Sequence, residues 1–516
     1  MKSSRFLTAP WIMLATAMVL WLGACENEEP KSPVAMARLP KITPDYVGIV
    51  IPPNIAPLNF VIDEPGKRYL AKIYSASGEP IQVAGKTGNI AISLKKWRTL
   101  LTENTGKELN IDICVKSEAG VWNRYQTITN TIAPEAIDPF LAYRFMMPSS
   151  YFPKRMKICQ RNLGNFEEQI LLDTESYDDG CAHCHSFVGN DPGKMLIGIR
   201  SVSFPSATMY AHDGQIEKIG TKFGYTAWHP SGKIVAYSVN DVRQFYHTAR
   251  AEIHDVVDLD SAIFYYDIED GKTKKTPALA DRKRLETYPA WTPDGKYMYF
   301  CSAPMLWKDV KTAPPRRYKE VKYDLMRISY DVDTDTWGPL ETVLSADETG
   351  LSILLPRISP DGRFLLFCMG QYGCFAIYQP TSDLYMMDLQ TGTYQKAPIN
   401  SEYADAWHSW SSNSRWIVFS SKRQGGLLTR PFTSYVDANG QAHKPFVLPQ
   451  ENPSFYQSCY HLYSVPEFLA GPVTVNKKAL VKAIINPVHT GVDTVSGASP
   501  GVPSNTAYKA GQSSVQ

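Results

Sequence analysis

Trp291-Thr292-Pro293-Asp294-Gly295, followed by the apolar run Tyr297 to Cys301, is the stretch that decides the fold, because the chain repeats it. Trp228-His229-Pro230-Ser231-Gly232 precedes Ile234 to Ser238, Ile358-Ser359-Pro360-Asp361-Gly362 precedes Phe364 to Cys368, and Trp410-Ser411-Ser412-Asn413-Ser414 is a degenerate fourth copy before Trp416 to Ser420. Proline fixes φ and glycine supplies a left-handed position, so each motif predicts a tight turn between two strands. A second element lies between the copies: Ala262 to Asp267, Leu325 to Asp331 and Leu384 to Asp388. Repeating units of about four strands cannot bury their faces alone, and they predict a β-propeller.

The turns resemble the WD40-like repeats of the TolB family, over about residues 196–472. That resemblance implies six blades. Four turns are plain, so the other blades are expected from Ile197 to Lys218 and Pro431 to Pro466, where His212-Asp213-Gly214 and Asp437-Ala438-Asn439-Gly440 fit strand pairs. Upstream, 44–135 reads as short strands punctuated by Gly and Pro, with one helix over Lys95 to Glu103, and predicts a small β-sandwich. The expected class is therefore all-β, with a sandwich, a linker over 136–195 and then the propeller. Residues 473–516 are expected to form a short helix (Lys477 to Ile485) and a largely disordered Gly/Ser/Pro/Thr tail.

Within the expected linker stands Cys181-Ala182-His183-Cys184-His185. C-x-x-C-H is the spacing at which two thiols form thioethers to a haem while the next imidazole reaches its iron. Cys181, Cys184 and His185 are thus candidate haem c residues, with His185 the proximal ligand and His183 a spacer. A zinc site wants four closed ligands, usually from two separated pairs, and Cys114, Cys159, Cys301, Cys368, Cys374 and Cys459 include no second C-x-x-C. A redox disulfide would leave His185 without a role. Candidates for a sixth iron ligand are His408, in Trp407-His408-Ser409-Trp410, and Met195, with His229 in reserve; all three also read as packed or hydrogen-bonding residues.

The N-terminus agrees with an extracytoplasmic haem. Lys2 and Arg5 precede the apolar run Trp11 to Leu22, too short for the ~20 residues of a membrane span, so 1–24 reads as a signal. Leu22-Gly23-Ala24-Cys25 resembles the bacterial lipoprotein box, which implies a lipidated Cys25; a plain cleaved signal is the alternative. The tether 25–43 opens on Glu26-Asn27-Glu28-Glu29, similar to the export signals of Bacteroidetes surface lipoproteins and equally readable as a solvated run. The mature chain looks like a Bacteroidetes lipoprotein group that joins a C-x-x-C-H segment to a TolB-like propeller, which implies an outer-membrane lipoprotein, periplasm-facing or at the surface, held by its lipid and meeting a protein partner at the envelope.

Losing Lys2 and Arg5 from 53 basic residues leaves 51 against 51 acidic ones, so nothing points to nucleic acid. The six remaining cysteines are free to pair in an oxidising compartment, with Cys368 and Cys374 nearest in sequence. No G-x-S-x-G elbow, H-E-x-x-H helix or phosphate loop occurs, and enzymatic activity is not expected. Asp255, Asp258 and Asp260 beside His247 and His254 imitate a metal cluster but are expected in a solvated loop. Trp407, Trp410 and Trp416 read as blade core or a glycan platform. Two functions follow: electron transfer or redox sensing by a haem on a propeller, or a scaffold binding a protein or glycan, in which the pentad is structural or holds another metal.

Overall fold

The computed structural model describes residues 30–486, apart from 149–154, 202, 247–253, 280, 282 and 308–314; the side chains of His183 and Cys184 also lie outside the description. Cys25, His247 and the tail beyond Asn486 fall outside it.

Six four-stranded antiparallel sheets make the propeller. Blade two is Cys181–Val188, Asp191–Arg200, Ala207–His212 and Gln215–Ile219; blade three is Gly224–Trp228, Ile234–Tyr246, His254–Asp267 and Lys272–Lys274. Blade four runs from Arg284–Trp291 to Thr336–Leu344, blade five from Ser352–Ile358 to Tyr394–Lys396, and blade six from Asp405–Trp410 to Phe446–Val447. Blade one takes three strands, Phe140–Met146, Lys157–Asn162 and Glu168–Asp173, from one end of the ring's sequence and its inner strand, Leu462–Leu469, from the other. The first strands of successive blades contact one another around the axis, ending with Asp405–Trp410 against Leu462–Leu469.

The repeat turns behave as read. Gly232, Gly295 and Gly362 have φ of 71°, 72° and 74°, and each N–H closes the turn on the carbonyl of His229, Thr292 or Ser359. The ring has the expected six blades but begins earlier in the chain than expected. Residues 136–195, expected as a linker, supply three strands of blade one and begin blade two. Ile197 to Lys218 fills the rest of blade two, while Pro431 to Pro466 supplies the outer part of blade six and half of the closing strand. The cause is non-local pairing: blade one is completed by residues some 300 positions away, and no local pattern marks that.

The N-terminal domain is a seven-stranded sheet facing a three-stranded one, with a helix at Leu94–Glu103 whose Trp97, Leu100 and Leu101 are buried. It begins earlier than 44. Val34–Ala35 pairs in parallel with Trp122–Arg124, and Ile42–Thr43 pairs with Phe60–Ile62, so the second half of the expected tether belongs to the sandwich. The helix Lys477–Ile485 lies where expected and packs Leu480 and Ile484 beside blades one and two. Among the described residues all seven cysteines are free, Cys368 and Cys374 included.

Candidate functional site

Every blade's inner strand carries a bulge, and that of blade two slips a second time at Phe187/Val188. The register slips at Gly224/Ala227, Thr287/Ala290, Leu354/Arg357 and Ala406/Ser409, and at Ala142/Arg144 opposite Leu462–Leu469. At each slip sits a non-glycine residue with positive φ: Tyr225 (42°), Tyr288 (57°), Leu355 (55°), Trp407 (53°) and Val465 (49°). Such backbone is costly, above all for β-branched Val465. A bulge re-aims the side chains around it. Here Tyr225, Tyr288 and Trp407 meet across the axis with ring centroids 4.4 to 6.4 Å apart, and Phe375 joins them.

The pentad occupies the same place in blade two. His183 pairs with Gly198 and Ser186 with Leu196, so the slip falls on Cys184-His185. In blade six Ala406 pairs with Ser420 and Ser409 with Val418. Cys184-His185-Ser186-Phe187 is therefore in frame with Trp407-His408-Ser409-Trp410, and the C-x-x-C-H segment is a repeat copy as well as a motif. The turn pattern fails to reveal it, because blade two turns through Gly189 and Asn190 without the Pro-x-Gly of its neighbours.

The two equivalent histidines differ in their partners. His408 is buried, donates Nε2–H to the Leu366 carbonyl at 2.9 Å and turns Nδ1 towards Cys368 Sγ at 3.8 Å. His185 is 3% exposed, yet neither ring nitrogen has a hydrogen-bond partner among the described residues. Burial first, and then the Arg144 guanidinium, lower its pKa to about 3, and the Val465 backbone offsets only part of this without a hydrogen bond of good geometry. The ring is thus neutral, the state in which an imidazole binds a metal. Cys181 is half-buried with Arg200 Nη2 3.9 Å from its sulfur.

Of the pentad, the His185 imidazole is the group whose surroundings leave a ligand position open. An unpaired buried polar group costs about 1–3 kcal/mol, and an iron atom would satisfy one nitrogen. Of the sixth-ligand candidates, His408 has both nitrogens turned to protein groups. So has His229, with Nδ1 2.7 Å from Ser231 Oγ and Nε2 3.1 Å from the Gly295 carbonyl. Met195 pairs across from Phe187 and packs in the apolar cluster shared by blades one and two and the C-terminal helix.

Asp255 and Asp258 are not in a solvated loop. They lie 3% exposed on the long strand His254–Asp267, and no metal-holding group of three occurs among the described residues. Trp410 and Trp416 are core, with Trp410 Nε1–H on the Arg357 carbonyl and Trp416 Nε1–H on that of Glu135. The sequence did not single out Arg357 and Glu467, two positions beyond the bulges of blades five and one. Burial pushes the Glu467 carboxyl up to about 7 against the pull of Arg357. The bulge frame, which needs the pairing register, is the signal that would have found them.

No family model matches the chain. Over 176 residues it is 24% identical to an uncharacterized protein of Agrobacterium fabrum, a match covering 30% of this chain and 57% of that protein, so the chain spans little more than half of this relative. Among solved structures it is similar to an oligogalacturonate lyase from Vibrio parahaemolyticus (TM-score 0.28, 11% identity, 58% of this chain and 92% of that one). Prolyl oligopeptidase B from Galerina marginata is another (TM-score 0.33, 12% identity, 74% and 54%). Sheet topology defines the class: a six-bladed β-propeller fused to an N-terminal β-sandwich.

Proposed function

We propose that this protein is a lipid-anchored, extracytoplasmic β-propeller that carries a covalent c-type haem on the inner strand of blade two and serves electron transfer or redox sensing. One observation carries the reading: of two histidines at equivalent blade positions, the one inside C-x-x-C-H is the one without a hydrogen-bond partner among the described residues. Cys181 and Cys184 would form the thioethers and His185 would ligate. A haem there supplies a one-electron iron couple. The chain's own part is to hold the neutral imidazole between blades one and two, away from water. The secretion signal, the Leu22-Gly23-Ala24-Cys25 box and the TolB-like turns support an envelope location, where a protein partner would exchange the electron.

Expressed with haem-attachment machinery, the protein should give a pyridine haemochrome and keep its Soret band through denaturation and acid-acetone extraction. Cys181→Ala with Cys184→Ala should abolish both. An unmodified mature mass from such cells would sink the proposal. For the anchor, Cys25→Ser should release the protein from the membrane fraction or leave its signal uncleaved; unchanged processing and partition would refute lipidation.

The repeat frame favours a second reading, a scaffold for a protein or glycan partner. Since every blade has the bulge, strand geometry alone accounts for where the pentad sits. In that case the double cysteine variant alters stability and no spectrum.

A further inference from the structure

Pairing resumes after each inner-strand bulge at one equivalent residue: Ser186, Ala227, Ala290, Arg357, Ser409 and Glu467, from blade two round to blade one. Four of the six are Ala or Ser, which leaves room beside the other two. The serines are spent on the next blade, Ser186 Oγ accepting from Thr226 Oγ1 at 2.7 Å and Ser409 Oγ donating to the Pro466 carbonyl at 2.9 Å. Arg357 and Glu467 reach further. Blade six stands between their strands, yet after burial the Arg357 guanidinium is the largest influence on the Glu467 carboxyl. It also adds to the burial that lowers the His408 imidazole of blade six, and it feels Cys301 and Tyr288 of blade four. A charge that acts on blades four, six and one at once stands near the axis.

Neither charge is satisfied by the protein. Arg357 has one long hydrogen bond, from Nη1 to the carbonyl of its own neighbour Pro356 at 3.5 Å. The Glu467 carboxyl is approached only by the Phe187 backbone, and it and Arg357 act on each other through space, with no hydrogen bond between them. Arg357, Ser409 and Glu467 are partly exposed whereas Ser186, Ala227 and Ala290 are buried, so the space they share opens to solvent on the side of blades five, six and one.

A poorly solvated charge is costly unless it is paired. The planar guanidinium takes a carboxylate through two parallel hydrogen bonds, and the carboxylate takes an ammonium. A simple anion would answer Arg357 and be repelled by Glu467; a simple cation would do the reverse. We propose that the propeller axis binds a small zwitterion of the amino-acid class, its carboxylate on Arg357 and its ammonium on Glu467, with Tyr225, Tyr288 and Trp407 as the wall on the side of the bulges. No residue of the pentad belongs to this ring.

The probes are glycine, β-alanine and 4-aminobutyrate, titrated by calorimetry into the full-length protein at pH 8, where a carboxyl pushed up by burial to about 7 is ionised. Acetate and methylammonium are the single-charge controls. At least one zwitterion should bind saturably and at least about tenfold tighter than either control, and Arg357→Met and Glu467→Gln should each weaken it by about tenfold or more. Glu467→Gln keeps the shape of the side chain, so it decides the matter if Arg357→Met fails to fold. No saturable binding of any zwitterion, a control bound as tightly, or unchanged affinity in a folded variant overturns the proposal.

Discussion

His408 shows what a buried imidazole costs when its protons are counted. In the unfolded chain it titrates near the ordinary value of ~6.5, whereas burial holds it neutral in the fold down to about 3. The folded pKa is depressed, so its contribution is fully present above the unfolded pKa and is lost as pH falls towards the folded one. Between pH 6.5 and 5 this single group should remove about 2 kcal/mol of stability, at ~1.4 kcal/mol per unit. Urea unfolding of wild type and His408→Gln at pH 7 and pH 5 checks this: the variant, which cannot gain that proton, should lose less on acidification. Equal losses in both would refute it. The residue type was legible in the sequence, but its role was not, because the Leu366 carbonyl that occupies it belongs to the neighbouring blade.

Among the elements, Leu462–Leu469 matters most for closure. It brings buried Tyr463, Phe468 and Leu469 to blade one and pairs with Phe140–Met146 along its length. Without it, blade one would expose an unpaired inner edge, and blades one and six would lose their contact through the strand. A chain ending at Tyr460 should fail to unfold cooperatively and should be degraded in limited proteolysis. One ending at Asn486 should match the full chain in melting temperature, since it keeps the closing strand and the helix Lys477–Ile485. A cooperative fold in the shorter chain would refute the closure. This strand also explains where reading the sequence stopped. Blades three to five were plain because Pro230, Pro293 and Pro360, with the glycines two residues on, write each turn locally. Blade one has no such mark, and blade two hid behind a pentad read for its chemistry. Local turn chemistry is visible in a sequence; pairing across most of the chain is not.

At the scale of the whole molecule, the sandwich and the propeller share one core, running from Ile42, Trp97 and Ile132 through Tyr463 and Phe468 to Trp416 and Phe432. Polar contacts fix the junction at the degenerate fourth turn. The Asp138 carboxylate accepts the Ser412 N–H at 2.7 Å and its hydroxyl at 2.5 Å, Asn413 Nδ2 donates to the Ala136 carbonyl at 2.7 Å, and the Tyr435 hydroxyl donates to Glu135 at 2.7 Å. This gives the departure of Ser411 to Ser414 from the Pro-Asp-Gly pattern a physical reason: the turn holds the segment Glu135 to Asp138 that joins the sandwich to blade one, and a proline at 412 would have no N–H to donate. A shared core predicts a single calorimetric transition for both parts. Asp138 is 7% exposed, so Asp138→Ala should strand two donors and cost about 1–3 kcal/mol, lowering the melting temperature. Ser412→Pro should do the same through the lost N–H. Two resolved transitions in the wild type, or a melting temperature unmoved by Asp138→Ala, would show that the parts fold separately and that the fourth turn departs from its repeat for another reason.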